Sequence, residues 1–196
     1  NARIVQHYGL TEASRSTFLQ ISDATEDLLS SVGRPVGHTE IQLGADHRIR
    51  IRGPHVARSR VDADGSHDLQ DADGWLQTND LGHMRDGFLF FDGRADDLIN
   101  CGGVKISPDQ LEEKIRPALP PQTLVAVAKV PDAQRGEGIL VAVKGSPEAV
   151  AKVSEVAASA LQKMGVVAGS ALHVMAVDEI PTTGTGKVQR PVLAER

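Results

Sequence analysis

Gly93-Arg94-Ala95-Asp96-Asp97-Leu98-Ile99-Asn100-Cys101-Gly102-Gly103-Val104-Lys105-Ile106 decides the fold, because the pattern of the chain changes across it. Before it, short apolar and polar alternations are separated by turn residues. Residues 39–43 and 47–52 alternate in this way around Gly44-Ala45-Asp46 and read as a hairpin. In its second strand Ile49 and Ile51 share one face, and Arg48, Arg50 and Arg52 share the other. Residues 75–84 and 88–91 flank Arg85-Asp86-Gly87 as a second hairpin. Residues 2–8 and 17–21 are further strand candidates, and the Asp- and Gly-rich residues 62–74 read as a loop.

After the stretch, strands alternate with helices. Ser107-Pro108-Asp109 is a helix start, with a cap, a proline in the first turn and an acid near the positive helix end. Leu111 and Ile115 follow four apart, and Pro117, Pro120 and Pro121 end the helix. Residues 124–130 and 139–143 are apolar strand runs around a charged loop at 132–137. Ser146-Pro147-Glu148 opens a second helix, whose Val150, Val153, Ala157, Ala160, Leu161 and Met164 form one apolar stripe. Residues 171–177 are a last strand, followed by a Gly/Thr-rich loop at 181–187. The expected class is α+β: a mostly β piece, a boundary at residues 93–97, then a β-α-β-β-α-β module.

Composition narrows the functions. At 196 residues the chain is long enough to bury a proper core, and falls between one and two domains at about 150 residues each. With 21 basic and 26 acidic residues its net charge is −5, which argues against a phosphate-backbone binder. Tyr8, Phe18, Trp75, Phe88, Phe90 and Phe91 are too few aromatics for a base-stacking platform. No partnership with nucleic acid is therefore expected. Cys101 is the only cysteine, so no internal disulfide and no four-cysteine zinc site can form. No apolar run approaches the roughly 18 residues of a transmembrane helix. The chain starts at Asn1 without a signal-peptide pattern, and residues 1–8 read as the middle of something. The expected setting is cytoplasmic.

Several familiar patterns fail. Gly184-Thr185-Gly186-Lys187 suggests a phosphate-binding loop, but that pattern needs Gly at 181 and Ser or Thr at 188, where the chain has Pro181 and Val188. Gly136-Glu137-Gly138 lacks the third glycine of a dinucleotide fingerprint, since position 141 is Val. The seven histidines are scattered without metal-ligand spacing. Ser14, Ser16 and Ser107 sit in no nucleophile-elbow pattern.

Four separated stretches carry the specific signal: Tyr8-Gly9-Leu10-Thr11-Glu12, then Gly74-Trp75-Leu76-Gln77-Thr78-Asn79-Asp80, then the stretch from Gly93 to Ile106, then Pro181-Thr182-Thr183-Gly184-Thr185-Gly186-Lys187-Val188-Gln189-Arg190. In this order and spacing they resemble the adenylate-forming (AMP-binding) superfamily, which includes acyl-CoA synthetases, nonribosomal-peptide adenylation domains and beetle luciferases. The resemblance covers nearly the whole chain. It implies the acyl-CoA-synthetase-like fold, with the C-terminal part of a β-barrel-like subdomain at 1–93 and a small, mobile α/β lid domain at 94–196.

Adenylation brings two anions together and expels pyrophosphate, so its site needs cations, oriented donors and a metal. The resemblance gives Tyr8 the face for adenine, Gly9 the close approach of backbone to ligand, Thr11 a donor to the α-phosphate, and Glu12 the ligation of Mg²⁺. The bland alternative is a turn with Thr11 and Glu12 as caps. Asp80 matches the carboxylate that accepts from the ribose hydroxyls, and Arg94 the arginine near ribose or phosphate; the alternative is a surface charge pair. Relatives usually have Thr-Gly-Asp where this chain has Thr78-Asn79-Asp80, and Asn79 tolerates the positive φ a glycine would favour. Asp96 matches the hinge between an adenylating and a thioester-forming pose. Gly102 and Gly103 match the loop beside the pantetheine arm of CoA, and Lys105 a basic position near the CoA phosphates, against the alternative of a glycine turn with a solvated lysine. Lys187 matches the lysine that bridges substrate carboxylate and α-phosphate, against that of an exposed loop lysine, and the Gly/Thr loop before it would supply mobility.

The family's Gly/Ser/Thr-rich pyrophosphate loop and most of its acyl pocket do not occur within these residues. The expectation is therefore a C-terminal portion of an ATP-dependent carboxylate–CoA ligase, using ATP (with AMP in the intermediate), Mg²⁺ and CoA, and inactive by itself. Its expected partners are a carboxylic acid, CoA and the missing N-terminal domain, with a homo-oligomer open. Residues 1–93 should then expose an apolar face and drive association. Loading of a carrier-protein pantetheine, and a non-catalytic fragment, are the alternatives. Fatty, aryl and short-chain acids all stay open as substrates.

Overall fold

Alternation of apolar and polar residues builds most of the strands seen in the computed structural model, which describes residues 2–195. The internal contacts divide the chain into two compact units, Asn1–Ala95 and Asp96–Arg196.

In the first unit, β1 (Val5–Tyr8), β2 (Thr17–Gln20) and β3 (Arg34–Pro35) form one antiparallel sheet. A second contains β4 (Glu40–Leu43) and β5 (Arg48–Arg52), the expected first hairpin. Ile49 and Ile51 are fully buried, while Arg48, Arg50 and Arg52 ion-pair with Asp46, Asp71 and Glu40 at the surface. Residues 62–74 are not wholly a loop: β6 (Ser59–Asp62) pairs with β7 (Gly65–Asp68) around Ala63-Asp64. This hairpin is exposed along its whole length, so no apolar face marks it in the sequence. The sheet of β4 and β5 is completed by β8 (Leu76–Arg85) and β9 (Phe88–Arg94), the expected second hairpin, with β9 running three residues further than expected. Leu76, Leu89, Val56 and Ala13 join the two isoleucines in the core of this unit.

The second unit is a five-stranded sheet with helices. It comprises β10 (Ile99–Cys101), β11 (Val104–Ile106), α1 (Pro108–Ile115), β12 (Leu124–Asp132), β13 (Gly136–Lys144), α2 (Pro147–Lys163), β14 (Leu172–Ala176) and α3 (Arg190–Ala194). Both longer helices start as expected: Ser107 Oγ accepts from the Gln110 amide at 3.3 Å, and Ser146 Oγ from the Ala149 amide at 3.3 Å. The charged loop at 132–137 shrinks to three residues, because β12 runs through Asp132 and β13 begins at Gly136. Strand β14 lies parallel to β13, as a strand–helix–strand crossover through α2 requires.

Period-two alternation divides the sheet's burial between two faces. Val125, Val127, Ile139, Val141 and Val143 pack with Leu111, Ile115, Val153, Ala157 and Leu161 of α1 and α2. Ala126, Ala128, Leu140 and Ala142 pack with Leu193 of α3 and Ile180. The small alanines let α3 approach the sheet closely. The sequence pattern does not predict this helix, which is five residues long with a proline inside its first turn. The class is α+β, as expected. Among the described residues, no helix is long and apolar enough to cross a membrane.

Candidate functional site

Strand β8 turns Leu76, Thr78, Asp80 and Gly82 inward, so its buried face carries two polar side chains. A buried carboxylate needs partners, and Asp80 is only 4% exposed. The Tyr8 hydroxyl, at the end of β1, donates to Asp80 Oδ2 at 2.7 Å. The Arg94 guanidinium lies 3.6 Å from Oδ1. Thr78 Oγ1 donates to the Ile49 carbonyl at 2.8 Å and accepts from the Asp80 amide at 3.0 Å, which fixes the backbone of the strand there.

A bulge aims Arg94. Gly82 faces Phe91 and Leu81 faces Gly93, so Asp92 is one residue extra in β9. An unbroken ladder from Gly82 would set Gly93 opposite Asp80; the bulge sets Arg94 there. Gly93 takes the positive φ, 116°, that the bend needs. Asp80 and Arg94 are therefore no surface pair. The acid is buried and the base is half-exposed.

Burial, and next the Asp80 carboxylate, push the Tyr8 phenol well above its ordinary pKa. The phenol stays protonated as a donor, and Phe91 lies beside its ring, 6.4 Å between centroids.

Beyond Tyr8 the chain closes on itself. The Leu10 amide donates to the Ala13 carbonyl, the Ala13 amide to the Leu10 carbonyl, and the Ser16 amide to the Tyr8 carbonyl. Buried Ser16 donates to the Ala13 carbonyl at 2.9 Å and meets His55 Nε2 at 3.0 Å. A Cβ on Gly9 would come within 2.4 Å of the Arg15 nitrogen and 2.7 Å of the Ala13 oxygen. The close approach that demands this glycine is thus, first of all, to the chain's own loop. Thr11 is exposed and Glu12 half-buried, and the Glu12 carbonyl accepts from the Ala57 amide at 2.8 Å. Among the described residues, no three of His, Cys, Asp and Glu are grouped to hold a metal ion. A lone Glu12 fits only a cation whose other ligands are water and substrate phosphates, as with Mg²⁺.

Asn79 does not use the positive φ that it would tolerate. It is an ordinary residue of β8, outside the left-handed region. Its carbonyl accepts from the Ala95 amide at 2.8 Å and its side chain from Arg48 at 3.0 Å.

The second unit carries the remaining expected residues in three separate places. Asp96 is exposed in the turn after β9, and its carbonyl accepts from Lys129 Nζ at 3.3 Å. Gly102 and Gly103 join β10 to β11 with φ of 63° and 92°, and Asn100 Oδ1 accepts from the Gly103 amide at 3.1 Å. Lys105 is exposed on β11, opposite Asn100. Lys187 is exposed in a turn that is hydrogen-bonded rather than loose. The Thr183 amide donates to the Lys187 carbonyl at 2.8 Å, the Lys187 amide to Thr183 Oγ1 at 3.2 Å, and Thr182 bridges Val188. The structure joins Tyr8, Asp80 and Arg94, three of the expected site residues, side chain to side chain.

No protein-family profile matches the chain. Curated relatives do match it. A 2-succinylbenzoate–CoA ligase from Listeria innocua is 31% identical over 198 residues, covering 98% of this chain and 41% of that protein. A medium/long-chain-fatty-acid–CoA ligase from Mycobacterium tuberculosis is 30% identical over 210 residues, covering 97% of this chain and 36% of that protein. Among solved structures, o-succinylbenzoate CoA synthetase from Bacillus subtilis, in complex with its acyl-adenylate intermediate, superposes with a TM-score of 0.78 at 25% identity. That match covers 97% of this chain and 41% of the other. Fold and relatives together define the class: the adenylate-forming enzymes, with CoA ligases as homologues. Over nearly its whole length the chain is similar to a C-terminal portion of these AMP-binding enzymes, and it spans about two-fifths of the length of the curated relatives it matches.

Proposed function

We propose that the chain is the C-terminal portion of an ATP-dependent carboxylate–CoA ligase. The observation that carries this reading is the buried Asp80 carboxylate, bonded to Tyr8 and paired with Arg94. In the proposed reaction a substrate carboxylate oxygen attacks the α-phosphorus of ATP, forming acyl-AMP as pyrophosphate leaves. The CoA sulfur, giving up its proton, then attacks the acyl carbon, and AMP leaves with the electron pair of the broken C–O bond.

Asp80 accepts from the ribose hydroxyls. A carboxylate has about four acceptor positions, so it holds Tyr8 and a diol together. Tyr8 and Phe91 supply an aromatic edge for adenine, and Arg94 a cation beside ribose or phosphate. Thr11 donates to the α-phosphate once nucleotide is bound. Glu12 would hold Mg²⁺ against the phosphates, and that ion, when bound, supplies charge neutralisation. The Lys187 ammonium stabilises the charge that develops between carboxylate and α-phosphate. The first unit is the end of the large domain, and the second is the mobile lid that turns about Asp96 and presents Gly102, Gly103 and Lys105 to CoA. The setting we infer is cytoplasmic, since the reaction consumes ATP and CoA.

ATP–pyrophosphate exchange tests this reading. A longer protein that carries this chain should exchange label in the presence of its carboxylic acid, and the 196-residue chain alone should not. Absence of exchange from that longer protein with every class of acid would overturn the proposal.

A further inference from the structure

Three residues beyond Lys187, Arg190 opens α3 and turns its side chain inward, leaving it 12% exposed. Its guanidinium donates to Glu112 Oε1 at 2.5 Å and to Asp109 Oδ1 at 2.8 Å. It also bonds the Val127 carbonyl, and lies 3.6 Å from Asp97 Oδ2. Glu112 Oε1 accepts in turn from the Val127 amide at 2.8 Å. Asp109 and Glu112 stand three apart on α1 and so present their carboxylates on one face. One planar cation therefore joins α1, the middle of β12 and the residue next to Asp96.

The Lys187 turn needs such an anchor. Its internal bonds, with the Thr182–Val188 bridge and the Gln189 amide on the Pro181 carbonyl, set its shape. They do not set its direction, which depends on how the chain is held after Gln189. Helix α3 has five residues, too few to hold itself. Buried Leu193 ties down its far end, and Arg190 ties down the end that meets the turn.

We infer that Arg190 is a positioning residue: through Glu112, Asp109 and Asp97 it fixes the direction in which the Lys187 turn leaves the second unit. The consequence for catalysis rests on the reading of Lys187 proposed above. Lysine at 190 keeps the charge but is a point donor, and cannot replace a planar fork that meets several acceptors at once.

Two measurements decide it. The first is amide hydrogen exchange on the whole 196-residue chain, which needs no activity. Arg190→Lys should speed exchange about tenfold or more at the Leu193 amide, which bonds the Gln189 carbonyl where the turn meets α3, while β13 stays within about twofold. Asp97→Asn, which weakens the outer contact, should show the same local pattern more weakly. Unchanged protection at Leu193, or an equal rise across the second unit, would overturn the inference. The second is the complete ligase. There Arg190→Lys should lower ATP–pyrophosphate exchange about 10- to 100-fold through kcat, with thioester formation from supplied acyl-adenylate within about twofold. Equal losses in both half-reactions would also overturn it. If the unaltered ligase shows no exchange, the proposed function falls, and hydrogen exchange still decides the role of Arg190.

Discussion

The hydroxyl of Tyr8 and the carboxylate of Asp80, 72 residues apart in sequence, meet at 2.7 Å in a partly buried site. Hydrogen bonds to charged groups contribute about 1.5–3 kcal/mol, so Tyr8→Phe should destabilise the first unit by about that amount in urea unfolding. The pH dependence has a definite sign. The folded-state pKa of Tyr8 is raised above its ordinary 10.0, so its contribution is full below pH 10 and is lost as pH rises through the folded value. The alkaline fall in stability should be shallower in Tyr8→Phe. An equally steep fall would show that the phenol is not held as described.

Asp80→Asn probes the same contact from the other side. The amide keeps one acceptor oxygen and turns its NH2 donor toward the Tyr8 hydroxyl or toward Arg94. In the complete ligase the proposed loss of ribose contacts should raise KM for ATP about 10- to 100-fold, the equivalent of one or two charge-assisted hydrogen bonds. A nucleotide KM that does not move would remove Asp80 from the nucleotide site.

Gly9→Ala separates two reasons for one glycine. If Gly9 served only the approach of a ligand, the apo chain would tolerate alanine. The new Cβ would instead meet backbone atoms of Ala13 and Arg15 at under 3 Å. Unfolding in the absence of nucleotide should therefore show a loss of about 1–3 kcal/mol from overpacking.

Glu112 offers a second pH signature, in the other unit. Burial outweighs Arg190 and holds its carboxyl above the ordinary 4.5. Its contribution is thus full below pH 4.5 and is lost as pH rises through the folded value. Glu112→Gln should flatten that part of the stability–pH curve. At neutral pH it should leave stability unchanged or raise it, because the desolvated charge is gone while an acceptor oxygen still meets Arg190.

These contacts mark the limit of what the sequence discloses. Ile49 with Ile51, Val125 with Val127, and the Ser107 and Ser146 caps are local patterns, and they place strands and helices nearly where the structure has them. The β6–β7 hairpin escapes because neither strand has an apolar face. Helix α3 escapes because what holds it, Leu193 and Arg190, acts through residues far away in sequence. The burial of Asp80 is equally invisible: Thr78-Asn79-Asp80 does not say that Tyr8 lies above it or that a bulge at Asp92 turns Arg94 toward it. Local spacing singles out the residues of the candidate site, and long-range packing decides their environment.

Lys187 is where the proposed chemistry is most exposed to test. Lys187 is exposed at the closing end of a hydrogen-bonded turn, so Lys187→Ala removes no buried side chain. The main-chain bonds of the turn, and the Thr183 hydroxyl on the residue-187 amide, survive the substitution. Stability in urea should therefore stay within about 0.5 kcal/mol of the unaltered chain. In the complete ligase ATP–pyrophosphate exchange should fall about 100- to 1,000-fold, the usual loss when one charge-stabilising group is removed from a developing anion. Thioester formation from supplied acyl-adenylate should fall far less, because that step forms no bond to the α-phosphorus. Normal exchange in Lys187→Ala would withdraw the lysine from the reaction while leaving the fold and the proposed nucleotide contacts of Asp80 as they stand.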